Sequence, residues 1–124
     1  MARLTENTVK ECKKKLLEAK MDILNRVKIG REVLSSQEAQ SSGDEADQTA
    51  RLMQESEFIS NQERLRTQLA EIEFALSRIE NGTYGICEET EEFIEVDRLL
   101  AIPWTRLSIE GAEIRESVQK RYAR

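Results

Sequence analysis

The chain has 124 residues, one domain's worth, of which 39% are apolar, 5% aromatic and 35% charged, a modest core beneath a heavily charged surface. A net charge of −5 leaves no cationic surplus to displace counterions from DNA or RNA, so direct nucleic-acid binding is disfavoured. With no histidine, no glycine-rich phosphate loop and no nucleophile beside a base, most routes to acid–base or covalent catalysis are closed, and an enzyme is not expected.

The N-terminal stretch lacks the apolar centre of a signal peptide, and no run of about 18 apolar residues occurs, so a soluble cytoplasmic protein with no membrane contact is expected. Cys12 and Cys87 cannot form a disulfide framework and read as reduced thiols.

From Val9 the apolar residues Val9, Cys12, Leu16, Ala19, Ile23 and Val27 recur in steps of 3, 4, 3, 4 and 4, the narrow stripe of a coiled-coil helix. Cys12 lies on that stripe and reads as a small core residue. Residues 35–50, "SSQEAQSSGDEADQTA", interrupt the pattern with serine, glycine and aspartate. Asp44 follows Gly43 where a helix N-cap belongs, and Asp47 falls in the first turn, where a carboxylate faces the positive end of the helix dipole. The second helix then carries Phe58, Gln62, Leu65, Leu69, Ile72, Leu76 and Ile79 on one stripe, with Gln62 its only polar member.

Neither stripe can bury itself alone. The chain is therefore expected to fold back at residues 35–44 into an antiparallel hairpin, an arm roughly 45 Å long and about 20 Å across. The fold class predicted is mainly α: a long antiparallel coiled-coil hairpin over residues 1–80 with its tip at about 35–50, and a small degenerate zinc-finger-like head with a C-terminal helix over 81–124.

"ENGTYG" ends the second helix, with Gly82 as its C-cap. Short extended pieces are expected around "EEFIEV" and "TRLSI", followed by a final helix with Ile114, Val118 and Tyr122 on one face. Phe93, Leu99, Leu100, Trp104 and Leu107 are the expected core of the head. The turn carrying Cys87 is built like a zinc knuckle, yet structural zinc needs four tetrahedral ligands, usually two C-x-x-C pairs on facing turns. Here the first pair would be Cys87 and Thr90, and the downstream stretch at a suitable distance offers Ser108 and Gly111. One thiol cannot hold the ion; the alternative, completion by Glu88, Glu89 or Glu91, uses ligands without the softness zinc prefers. The run Glu88, Glu89, Glu91, Glu92, Glu95 and Asp97 reads as solvated surface, and its carboxylates are expected to raise the Cys87 thiol pKa.

The stretch "RIENGTYGICEETEEFIEVDRLLAIP", preceded by a hairpin whose tip carries "DEADQTA", resembles the DksA/TraR family of bacterial RNA polymerase regulators, from about Val9 to Tyr122. In that family two C-x-x-C pairs bind zinc, so the resemblance makes Cys87, Thr90, Ser108 and Gly111 degenerate zinc positions and the chain a zinc-independent variant. It implies a protein that binds RNA polymerase and inserts its hairpin tip through the secondary channel to modulate initiation. Asp44 and Asp47 take the places of the two tip aspartates; Thr49 stands where the family has a small alanine, with Ala50 beside it; Arg64 falls where a basic residue docks the arm. The positions aligned with the ppGpp-gripping cations of some members are Glu71, Ile102 and Ala112, and the chain begins close to the arm, so action without ppGpp is expected. No cofactor is expected, and the hairpin would be a monomer when dilute. The alternatives are a Gre-like secondary-channel factor, against which the knuckle signature speaks, and a coiled-coil adaptor whose stripe pairs with a second chain.

Overall fold

The computed structural model describes residues 4–39 and 45–122, with the side chains of 37–39 left aside. The described residues form four helices, α1 (Glu6–Ala39), α2 (Glu45–Asn81), α3 (Val96–Ala101) and α4 (Ile109–Tyr122). The two long helices are the expected ones. α1 starts at Thr5, whose hydroxyl accepts the backbone N–H of Thr8 at 3.1 Å, an N-cap that satisfies one of the orphan donors of the first turn. It runs on through "SSQEA" to Ala39, so the loop expected at 35–44 shrinks: serine and glutamine next to a propagating helix do not stop it. α2 ends as predicted. Gly82 adopts a positive φ of 76°, Thr83 N–H reaches back to the carbonyl of Arg78 at 3.0 Å, and Gly82 N–H bonds Ile79 at 3.3 Å.

Packing divides the chain into two units, and each is described by itself. One joins the start of α1, through Glu18, to everything from Glu71 onwards; the other is Ala19–Ala70.

The Ala19–Ala70 unit is an antiparallel coiled-coil hairpin. Leu24 and Val27 lie alongside Leu65 and Leu69, while Leu34 lies alongside Phe58 and Gln62, so α2 descends as α1 rises. Between these pairs Gly30 brings the helices together: a β-carbon there would stand 2.9 Å from Gln62 Nε2 and 3.1 Å from the Phe58 ring. The polar member of the α2 stripe therefore faces the one seam position without a side chain.

In the other unit, Cys12 and Leu16 of α1, Ile72 and Ala75 of α2, and Tyr84, Ile94 and Leu99 of the head are buried. Two α1 side chains satisfy carbonyls at the end of α3, which have no partner within the helix: Lys15 Nζ donates to Leu100 O at 2.8 Å and Cys12 Sγ to Leu99 O at 3.7 Å. Pro103 follows, and its carbonyl accepts the buried Tyr84 hydroxyl at 2.7 Å. Burial pushes the Tyr84 phenol up, as does its bond with Cys12.

The head departs from expectation in two places, its strands and Phe93, while the final helix forms as expected. Of the extended pieces only one antiparallel bridge forms, Ile86 with Phe93, and no strand occurs among the described residues. Phe93 is exposed, and its neighbour Ile94 turns inward instead, held by its N–H bond to Gly85 O at 2.8 Å. On α4, Ile114, Val118 and Tyr122 remain exposed.

Candidate functional site

The knuckle is a tight turn built by backbone bonds. Cys87 N–H donates to Glu92 O at 2.8 Å, and Glu91 N–H closes back on Cys87 O at 2.9 Å. Closing the turn forces Glu91 into a left-handed conformation at φ 60°, where a β-carbon is disfavoured. Gly85, at φ 89°, precedes it; a β-carbon there would collide with Leu4. A second turn reaches the first through Glu88 N–H and Arg106 O at 2.9 Å and leads into α4.

These turns bring Cys87, Thr90, Ser108 and Gly111 around one sulfur. Cys87 is fully buried. Its Sγ accepts from Thr90 N–H and from the Ser108 hydroxyl, both at 3.5 Å. Ser108 Oγ in turn accepts Gly111 N–H at 3.0 Å, so the hydroxyl is also the N-cap of α4. A β-carbon on Gly111 would lie 2.5 Å from Sγ. Burial alone would raise the thiol pKa, but the bonds donated by Ser108 and Thr90 outweigh it and push Cys87 down to about 6. The expectation that neighbouring carboxylates hold this thiol up is thus overturned. The donors that decide the matter stabilise the thiolate directly, and Glu88 and Glu89 are turned towards Arg115.

The donor set does not suit structural zinc. Of the four positions one is a thiol, two are neutral hydroxyl residues and one has no side chain, and the sulfur fills the space a ligand at 111 would need. Among the described residues, no group of three or more Cys, Asp or Glu is placed to hold a metal ion. The two turns are joined by other means. Arg115 Nε of α4 pairs with Glu89 at 3.0 Å and its Nη2 with Glu88 at 3.4 Å, while Ile109 N–H, the first of α4, is accepted by both Glu95 oxygens at 3.2 and 3.3 Å. Sequence reasoning missed Arg115 and Glu95. Their signal was the acidic run itself, which counted as solvated surface until α4 brought a cation and an unpaired helix end to it.

The arm's candidate residues belong to the other unit. Asp47, Thr49 and Ala50 stand exposed in the first turns of α2, and the Thr49 hydroxyl bonds back to Glu45 O at 3.0 Å. Asp44 lies outside the described residues. Arg64 is exposed on α2. Glu71, Ile102 and Ala112 supply no cation.

With this geometry in hand, similarity to known proteins is informative. The profile of the prokaryotic dksA/traR C4-type zinc finger matches residues 82–117, the knuckle and the start of α4. The RNA polymerase-binding transcription factor DksA of Caulobacter vibrioides is 36% identical over 106 residues, covering 84% of this chain and 72% of that protein. An uncharacterized protein of Aquifex aeolicus is 36% identical over 113 residues, covering 89% of this chain and 77% of that one. Among solved structures, transcription factor DksA2 from Pseudomonas aeruginosa superposes with a TM-score of 0.81 at 32% identity, covering 94% of this chain and 88% of that one. A hairpin arm, a knuckle with one remaining thiol and these relatives agree: the chain belongs to the DksA/TraR family.

Proposed function

We propose that this protein is a zinc-independent transcription regulator that binds RNA polymerase and places the tip of its hairpin in the secondary channel to modulate initiation. The observation that carries this reading is that identity with an RNA polymerase-binding transcription factor covers 84% of the chain, arm and head together, and not the knuckle alone. The arm's chemistry is consistent with such a role. Two helices packed side by side make a probe about 20 Å across, slim enough for a channel closed to a globular domain. Asp44 and Asp47 would present carboxylates at its end, where oxygen ligands can pair with basic groups or perturb a magnesium ion. Thr49 and Ala50 shape the same turn, and Arg64 docks the arm.

No zinc is needed for the head, because the bonds around Cys87 and the pairs at Arg115 already join the segments that a metal would join. No ppGpp is needed either, since Glu71, Ile102 and Ala112 offer a phosphate no cation. The protein itself catalyses nothing; it acts in the cytoplasm, on the polymerase, as a monomer and without touching DNA.

The test is transcription in vitro from a ribosomal and an amino-acid promoter, with and without ppGpp, comparing the wild-type chain with Asp47→Asn. The wild type should change initiation at one promoter or both, independently of ppGpp. Asp47→Asn should lose that effect while still binding core polymerase and keeping its helical content. Wild-type protein that neither binds core polymerase nor alters transcription would overturn the proposal.

A further inference from the structure

The apolar seam of the arm ends before the arm does. Within the Ala19–Ala70 unit, Ile23 is buried and Val27, Gly30 and Leu34 of α1 are half-buried, as are Leu69, Leu65, Gln62 and Phe58 of α2. Past Leu34 and Phe58 both helices continue, α1 to Ala39 and α2 back to its start at Glu45. The seam changes character there. Steps of three and four carried back from Phe58 fall on Glu55 and Arg51, and carried forward from Leu34 they fall on Gln37 or Glu38, so the stripe turns polar on both helices.

Of residues 45–57 only Arg51 is even half-buried. Leu52 and Met53, the two large apolar side chains of the segment, are 66% and 65% exposed. The side-chain bonds of Thr49 to Glu45 O at 3.0 Å and of Arg51 to Asp47 O at 3.5 Å stay within it. Helical stability in proteins comes mostly from burying an apolar face, and a helix shorter than roughly 12–15 residues without such burial is marginal in water. Residues 45–57 meet both conditions. Glu45 and Asp47, beside the positive end of the helix dipole, keep the balance from tipping wholly to coil.

We propose that residues 45–57 form an order–disorder element, melting and re-forming independently of the rest of α2, and that its helical fraction sets the potency of the arm. The second half of this inference rests on the proposed function. Asp47 stands in the element, so only chains in which the helix is formed hold its carboxylate in a fixed geometry. Apparent affinity is reduced by the fraction of chains so ordered, and a partner meets the cost of ordering the remainder.

The test is hydrogen exchange of the full chain for wild type, Gln54→Ala/Ser56→Ala and Gln54→Gly/Ser56→Gly, changes of helix propensity at two exposed positions off the apolar stripe. Amides 49–57 should be at least about a hundredfold less protected than amides 65–69 of the same helix. Their protection should rise about threefold or more in the alanine variant and fall by a similar factor in the glycine variant, with 65–69 unchanged. The alanine variant decides the matter if the glycine variant loses its fold. In transcription in vitro, the protein concentration giving half the maximal effect should fall for the alanine variant and rise for the glycine variant. Amides 49–57 protected as strongly as 65–69 overturn the element itself. Protection that shifts as expected while the half-maximal concentrations stay the same overturns its control of potency. Wild-type protein without effect on transcription overturns the proposed function, and the exchange measurement then decides the element alone.

Discussion

The Cys87 sulfur lies against Gly111 so closely that a β-carbon at 111 would stand 2.5 Å from it. The same sulfur receives the Ser108 hydroxyl that caps α4. A position that would carry a zinc-binding cysteine in a C4 knuckle is thereby closed to any side chain at all.

Gly111→Ala should therefore destabilise the protein by about 1–3 kcal/mol, through overpacking, despite alanine's better helix propensity. Denaturant unfolding measures it. In a double-mutant cycle with Cys87→Ala, most of that cost should vanish, because the colliding atom is gone. A neutral Gly111→Ala would mean that the sulfur is free to move.

The thiol gives a pH dependence of known sign. Cys87 is held at about 6 in the folded chain against the ordinary 9.0, so between those values the unfolded chain binds a proton that the folded chain releases. Stability from this group is complete above pH 9.0, declines as the pH falls and is lost through about pH 6. Thiolate absorbance of native protein should titrate near pH 6. Ser108→Ala should move that midpoint upward, and Cys87→Ser should remove the corresponding slope from a plot of unfolding free energy against pH. A native midpoint at the ordinary thiol value would contradict this account.

Purified protein should contain far less than one zinc per chain, and strong chelators should leave its melting temperature unchanged. In small zinc modules the ion contributes about 10 kcal/mol or more, so a chelator would unfold a head that depended on it. Stoichiometric zinc, removable only with loss of structure, would refute the metal-free reading.

Glu91 sits at φ 60° in the turn that closes on Cys87. Glu91→Gly should raise stability by up to about 1 kcal/mol, since glycine adopts that conformation without the β-carbon clash. Gly85→Ala should do the reverse, because its φ of 89° is equally unsuited to alanine and Leu4 occupies the space. Thermal melts of the two variants should shift in opposite directions.

What the sequence disclosed follows from the range of the interactions. The stripes Val9–Val27 and Phe58–Ile79 are local, so periodicity revealed both long helices and the Gly82 stop. The α1 stripe goes on through Gly30 and Leu34, both half-buried, but glycine at a seam position hides the repeat from a reading that looks for apolar side chains. Phe93 is the expected core residue, and the bond from Ile94 N–H to Gly85 O, formed only once the turn is closed, accompanies the burial of its neighbour Ile94 instead. Spacing picked out Cys87, Thr90, Ser108 and Gly111, which do converge. The partners that set the thiol's chemistry and replace a cross-link lie 21 residues away at Ser108 and 27 residues from Glu88 at Arg115, beyond the reach of any local pattern.

The doubly used hydroxyl of Ser108 has a chemical consequence. A lone cysteine at 108 weakens the cap of α4, a lone cysteine at 111 strikes sulfur, and neither gains an ion until the other ligands are also in place. A four-ligand metal centre here would therefore take several substitutions together, since each one alone disturbs the packing without gaining an ion.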